Sequence, residues 1–360
     1  MVRTSLPAGD LLNMINKSKP LISIEHLSKH YGQPRESRVE WKWFSTRRYK
    51  IIQALDDVNL TVNEGETLGL VGESGCGKTT LGRLMIRLLE PTSGSIFFEG
   101  EDIFHLNNKQ LQKLRRSMQI IFQDSLSSLN PRKTVRKILR QPFLTHKLLR
   151  KGDVDYDADF RIKKLLKDVG LSPPELYMDR YPHELSGGQR QRVCIARAIA
   201  LEPKFIVADE PISSLDVTTR NQILNLMRGL KKGYQLTYLF ISHDLTVIKA
   251  VSDRVAVMYL GKIVEISSAR EIFERPLHPY TMALLSSILP PRPEPKQQGQ
   301  TSETEPVLPS ADTSSSIDNP FGCRFHTRCP YAFDKCRYAE PPLEEVNEGH
   351  FVACHLLNEN

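Results

Sequence analysis

Gly72-Glu73-Ser74-Gly75-Cys76-Gly77-Lys78-Thr79 (GESGCGKT) separates two stretches of different periodicity. Before it, Thr67-Leu68-Gly69-Leu70-Val71 reads as a buried strand. After it, Leu81, Leu84, Met85, Leu88 and Leu89 recur at helical spacing until Pro91 stops them. The octapeptide fits G-x-x-x-x-G-K-[ST], in the strand–loop–helix setting that this pattern requires. Its chemistry is phosphate recognition. Glycines let backbone N–H groups curl around phosphate oxygens where a Cβ would obstruct. The helix N-terminus adds its positive end. Lys78 supplies a full charge to the outer phosphates, and the Thr79 hydroxyl is a candidate Mg²⁺ ligand. The candidate phosphate-binding residues are Gly72, Glu73, Ser74, Gly75, Cys76, Gly77, Lys78, Thr79 and Thr80.

Two further motifs extend the site. Phe205-Ile206-Val207-Ala208 is an apolar run ending in Asp209 and Glu210, as expected of a central parallel strand. Asp209 is placed to hold Mg²⁺ and Glu210 to orient or deprotonate an attacking water. Leu185-Ser186-Gly187-Gly188-Gln189 precedes a helical stretch from Arg190 to Ala200. Ser186 and the backbone of Gly187 and Gly188 therefore form a second anion-binding helix start. One chain around one nucleotide does not need two such surfaces. A dimer that sandwiches ATP between one phosphate loop and the other chain's LSGGQ does.

These motifs, with Gln123 in IIFQD and His243 in ISHD, resemble the ATP-binding cassette (ABC) ATPases over about Leu21–Leu285. The resemblance implies an α/β fold: a RecA-like parallel-sheet core with an antiparallel β subdomain and an α-helical subdomain. It implies that Gln123 contacts Mg²⁺ and signals to a membrane partner, and that His243 contacts the γ-phosphate. Ser213-Ser214-Leu215-Asp216 resembles the loop that crosses the dimer interface, with serine where alanine is commoner at 214. Tyr31 is the candidate for stacking on adenine; Trp41, Trp43 and Phe44, in the Gly32–Lys50 insertion, are rivals.

Asn130–Val135, Val257–Glu265, Pro276–Pro290 and the segments Gly322–Cys336 and Gly349–His355 look like the oligopeptide/dipeptide importer branch. That branch also includes transporters for nickel and oligosaccharides. The resemblance implies a second, homologous or identical ATPase subunit, two transmembrane permease subunits, an extracytoplasmic solute-binding protein, and a peripheral place on the cytoplasmic face of the membrane. Nucleic acid is not an expected partner. A soluble ABC ATPase acting on nucleic acid or ribosomes is the main rival; a regulator whose cysteines sense iron or redox state is the third reading.

Composition fits these expectations. Of 360 residues, 40% are hydrophobic and 25% charged, as in a soluble globular protein. The net charge of +7 is dispersed, apart from Arg47, Arg48 and Lys50. Met1–Pro20 has no continuous apolar core, so no signal peptide is expected. No stretch approaches the roughly 20 apolar residues of a membrane span.

Four segments are predicted: a tail over 1–20, the ATPase domain over 21–289 with its helical subdomain at 112–184, a linker over 290–320, and a Cys-rich module over 321–360. The Pro-, Ser- and Glu-rich linker is expected to hold the module away from the ATP motifs. Cys76 and Cys194 read as packing residues. Cys323, Cys329, Cys336 and Cys354 lack the close C-x₂₋₄-C pairs typical of structural zinc. Four thiolates suit a [4Fe–4S] cluster, and related cysteine motifs in the importer branch are associated with one. Zinc is the alternative and unligated thiols the third possibility, with His326, His350 and His355 as spare ligands.

Overall fold

The computed structural model describes residues 20–34, 49–149, 154–286 and 321–357. In chain order its strands are β1 (Ile22–Pro34), β2 (Tyr49–Val62), β3 (Thr67–Val71), β4 (Ser93–Phe98), β5 (Glu101–Asp102), β6 (Met118–Ile121), β7 (Phe205–Asp209), β8 (Thr237–Ile241), β9 (Arg254–Tyr259), β10 (Lys262–Ser268), β11 (Glu344–Asn347) and β12 (His350–Val352). Two sheets result among the described residues. An antiparallel sheet runs β2-β1-β4-β5, and a larger one runs β11-β12-β10-β9-β3-β8-β7-β6.

The larger sheet is parallel from β9 through β6. Every residue of β3, β7 and β8 is buried. That is why these strands read as unbroken apolar runs: helices cover both faces of a parallel sheet. The helix Lys78–Met85 follows β3 and buries Leu81, Leu84 and Met85. The helix Gly187–Ile199 buries Val193, Cys194, Ile195 and Ile199, so Cys194 is a packing residue. In register, Leu68 of β3 lies beside Leu239 of β8 and Arg254 of β9.

Three features differ from the sequence reading. Met118–Ile121 falls inside the segment expected to be helical, yet it forms β6 and pairs in parallel with β7. Four apolar and polar residues carry no decisive period, and the sheet's open side claims them. Helices then occupy Val135–Thr145, Val154–Asp168 and Glu175–Met178. The insertion is shorter than Gly32–Lys50, because Gly32–Pro34 and Tyr49–Lys50 belong to the paired strands β1 and β2; Trp41, Trp43, Phe44, Arg47 and Arg48 lie outside the described residues.

The third difference is the place of the C-terminal module. It does not stand away from the cassette. Strand β12 adds to β10, with Glu265 opposite Val352 and Ile266 opposite Phe351. An exposed strand offers a row of unpaired backbone groups, and β12 takes them up. Phe325 is fully buried against Tyr259, Tyr280 and His278. The short segment thus borrows its core from the cassette.

Candidate functional site

The phosphate loop joins the end of β3 to the helix Lys78–Met85. Gly72 has φ +152°, and a Cβ there would lie 2.1 Å from the Met258 carbonyl oxygen. Gly77 has φ +110°, and its Cβ would meet the Ala54 carbonyl at 2.4 Å. Both positions require glycine because other backbone closes on them. Buried Lys78 donates from Nζ to the carbonyls of Gly72 (2.7 Å) and Glu73 (2.8 Å). These neutral acceptors are ones that phosphate oxygens can replace. Cys76 is buried beneath the loop, and burial pushes its thiol up. Ser74 and Gly75 are exposed, and Thr80 is half-buried.

Thr79 Oγ1 donates to Asp209 Oδ1 at 3.0 Å. Burial raises the Asp209 carboxyl, against the hydrogen bond from Thr79 and the charge of Arg83. A divalent cation beside it would favour the ionised form. The pair is a hydroxyl and a carboxylate, hard oxygen donors of the kind Mg²⁺ takes.

Glu210 is the next residue, with φ +45° and its N–H bonded to the Ile241 carbonyl at 3.0 Å. This left-handed backbone turns its side chain out of the β7 line. Gln123 Nε2 donates to Glu210 Oε2 at 2.9 Å, and His243 Nδ1 lies 3.0 Å from Oε1. Gln123, Asp209, Glu210 and His243 therefore meet at the carboxyl ends of neighbouring parallel strands, where open α/β sheets bind their ligands. A carboxylate held at both oxygens is oriented as a proton acceptor.

The LSGGQ segment has a defined local geometry. Ser186 caps the helix Gly187–Ile199: its Oγ accepts from the Gln189 N–H at 3.3 Å, while Gln189 Oε1 accepts from the Ser186 N–H at 3.0 Å. Ser186 is exposed. A Cβ on Gly188 would lie 2.5 Å from Thr219 Cγ2, so the loop closes on the helix Val217–Tyr234. Asp216 caps that helix through the Thr219 N–H at 2.9 Å, and this bond holds its carboxyl below the usual range. Tyr31 lies on β1 opposite Ile52, part exposed, with Lys29 Nζ 5.1 Å from its ring centroid.

A family profile described as "ABC transporter" matches residues 55–213, and a second, "Oligopeptide/dipeptide transporter, C-terminal region", matches 264–336. The oligopeptide transport ATP-binding protein AppF of Bacillus subtilis (strain 168) is 48% identical over 87% of this chain and 92% of its own length. The chain belongs to the ATP-binding subunits of the oligopeptide/dipeptide ABC transporters. A putative oligopeptide transport ATP-binding protein of the same organism, YkfD, is 45% identical over 94% of this chain and 95% of its own. Among solved structures, the dimeric ATP-binding cassette MJ0796 in a post-hydrolysis state bound to ADP and Pi superposes with a TM-score of 0.58 at 29% identity, covering 69% of this chain and 99% of that one. As an ABC ATPase subunit the chain works on ATP with Mg²⁺. No helix among the described residues is long and apolar enough to cross a membrane.

The Cys-rich module carries no assembled metal centre among the described residues. No group of three or more His, Cys, Asp or Glu side chains among the described residues is arranged to hold a metal ion. The four cysteines are nonetheless near neighbours: Cys323 is raised to about 11 by burial and by the charges of Cys336 and Cys329, and Cys354 to about 11 by burial and by the other three. The spare histidines point elsewhere. His326 Nδ1 bonds to the Cys323 carbonyl (2.8 Å), His355 Nε2 to the Ala339 carbonyl (2.9 Å), and buried His350 to Glu265 Oε1 (2.7 Å).

Sequence reasoning assigned no role to Tyr280, Arg324 or Arg328. Tyr280 Oη accepts from the Glu73 N–H at 3.0 Å, and Arg328 Nη1 reaches both Glu73 carboxylate oxygens at 2.9 and 3.0 Å. Arg324 bonds to Asp56 and to the Leu260 carbonyl. The motifs around them marked a branch of the family, and no local pattern announces a contact between residues so distant in the chain.

Proposed function

We propose that this subunit energises uptake of oligopeptides or dipeptides, working as one of two ATPase subunits beneath two transmembrane permeases that receive cargo from an extracytoplasmic binding protein. Its place is then peripheral, on the cytoplasmic face of the membrane. What supports the cargo is the oligopeptide-transport role named for the relatives and the match of the C-terminal region to that of oligopeptide/dipeptide transporters. The single observation that carries the mechanism is the Glu210 carboxylate held between Gln123 and His243, one residue beyond the Thr79–Asp209 pair.

In this reading Lys78 and the loop's N–H groups hold the β- and γ-phosphates. Thr79, Asp209 and Gln123 would hold Mg²⁺, which supplies neutralising charge to those phosphates. Glu210 orients the attacking water and accepts its proton, and His243 donates toward the γ-phosphate. Ser186, with the N–H groups of Gly187 and Gly188 and the Gln189 side chain beside them, completes the site of the other subunit, across an interface lined by Asp216. Tyr31 stacks on adenine. Capture of the tagged full chain from detergent-extracted membranes, followed by reconstitution with its co-purifying subunits, tests the assignment. ATP-dependent accumulation of a labelled peptide in the vesicles is the expected result. Capture without multispanning subunits, or vesicles that hydrolyse ATP and move no peptide, would overturn it.

We also propose that Cys323, Cys329, Cys336 and Cys354 ligate one structural [4Fe–4S] cluster. Support comes from four cysteines gathered in one small module and from the match of four thiolates to that cluster. Ligation would take up the four side chains as thiolates and release their protons. Anaerobic purification is expected to yield iron and sulfide in equal amounts, with visible absorption lost in Cys329→Ser. Stoichiometric zinc without iron would replace the cluster by zinc, and absence of any metal would remove the proposal.

A further inference from the structure

The C-terminal module is attached to the cassette at several independent points. Strand β12 extends the sheet. Phe325 fills an aromatic pocket. Arg324 pairs with Asp56 and the Leu260 carbonyl, and His350 pairs with buried Glu265. Adhesion is therefore provided for without Arg328. Yet Arg328 leaves the module and reaches the second residue of the phosphate loop.

Glu73 is held at each of its polar groups. Its N–H donates to Tyr280 Oη at 3.0 Å, its carbonyl accepts from Lys78 Nζ at 2.8 Å, and its carboxylate receives Arg328 Nη1 at 2.9 and 3.0 Å. The guanidinium is itself fixed. It lies 5.9 Å from the Tyr259 ring centroid and 5.8 Å from that of Phe325, and its Nη1 also donates to Tyr259 Oη at 3.4 Å. The Arg328 side chain is 17% exposed and that of Glu73 31%. The pair is thus partly withdrawn from solvent, where an ion pair outweighs its fully exposed counterpart. It sits beside backbone that must present N–H groups to phosphate, and such groups bind best when already in place.

We infer that Arg328 is a positioning residue for ATP binding: the C-terminal module, through Arg328 and Glu73, holds the phosphate loop in its nucleotide-ready shape. The inference rests on the reading of Gly72–Thr80 as the nucleotide loop. Arg328 touches no substrate; it acts through Glu73. Loosening Glu73 leaves the loop to be ordered by ATP at the moment of binding. The loss then falls on affinity more than on the chemical step.

Titration of the purified full chain with a trinitrophenyl-ATP probe and Mg²⁺ tests this. Arg328→Gln is expected to weaken binding about three- to tenfold, the range of a partly buried ion pair. Arg328→Lys is expected to recover part of that loss, because charge returns without the planar fork. Glu73→Gln with Arg328→Gln should be no weaker than either change alone, since each removes the same contact. In the assembled transporter, Arg328→Gln should move KM for ATP more than kcat. Arg324→Gln is the control. It loosens the module at Asp56 and the Leu260 carbonyl without touching Glu73, and should lower the melting temperature while costing less probe affinity than Arg328→Gln. Unchanged affinity in Arg328→Gln, additive losses in the double variant, or an equal loss in Arg324→Gln would overturn the inference. If Arg328→Gln fails to fold, Arg328→Lys and the control still decide it. Should Lys78→Ala also leave probe binding intact, the nucleotide-loop reading fails instead, and the two failures are distinguishable.

Discussion

Lowering the pH from 7 towards 4.5 is expected to loosen the C-terminal module through one histidine. His278 is 1% exposed, and its Nδ1 accepts a hydrogen bond from the Tyr280 N–H at 3.0 Å. An imidazolium has no acceptor to offer there. Burial pushes its pKa from 6.5 down to about 4, against the upward pull of Glu265 and of a hydrogen bond with the Ala353 backbone. The folded pKa is thus depressed, so between about 4 and 6.5 the unfolded chain binds the extra proton. Stability is complete above 6.5 and declines as pH falls through that window. A shift of this size corresponds to about 3 kcal/mol when the titration is complete. The histidine packs under Phe325 at 6.0 Å, so the loss bears on the seat of the module. The measurement compares melting temperatures of wild type and His278→Asn from pH 7.5 to 4.5. Asparagine can keep an acceptor near Nδ1 and does not titrate. Wild type should be the more stable at pH 7.5, and its advantage should shrink or reverse by pH 4.5. Parallel curves would refute the assigned role of His278, because the carboxylates common to both proteins cancel in the difference.

Glu210→Gln should leave ATP binding intact and reduce turnover about 10²- to 10⁴-fold, the contribution of a positioned general base; near-normal steady-state ATPase activity would contradict that role. Phe325→Ala is expected to destabilise the module's seat by about 3–5 kcal/mol, read as early release of Phe321–Leu357 in hydrogen exchange. Gly72→Ala should abolish nucleotide binding, because the new Cβ would press on the Met258 carbonyl; a folded variant with wild-type affinity would refute the geometry. In mixed dimers, Lys78→Ala in one subunit and Ser186→Ala in the other should leave one intact site, whereas both changes in the same subunit should leave none; equal activities would argue against a shared interface.

The parallel sheet was legible because β3, β7 and β8 are buried on both faces and read as plain apolar runs before Gly72, Glu210 and Ser242. The left-handed backbone of Glu210 was not legible, since nothing in its side chain favours φ +45°. β6 was hidden by its length: Met118–Ile121 is too short for a period of two to separate from one of 3.6. The seat of the module was hidden for another reason. The Arg328–Glu73 contact spans 255 positions, and His350–Glu265 spans 85. Local pattern carries no information over such separations. The cysteines announced themselves by concentration alone, four within Gly322–Cys354.

The sheet also sets an order on biosynthesis. Strand β10 ends at Ser268, and β12, its neighbour on that side, begins at His350. During synthesis the cassette can assemble around ATP while β10 still shows free backbone groups and the aromatic pocket of Tyr259 and Tyr280 still lacks Phe325. A nascent chain in that state is open to pairing with a second copy of itself. A prematurely terminated product would keep every nucleotide motif, from Gly72 to Asp244, and remain permanently in that condition. Completion of β12 is thus the step that covers this edge of β10.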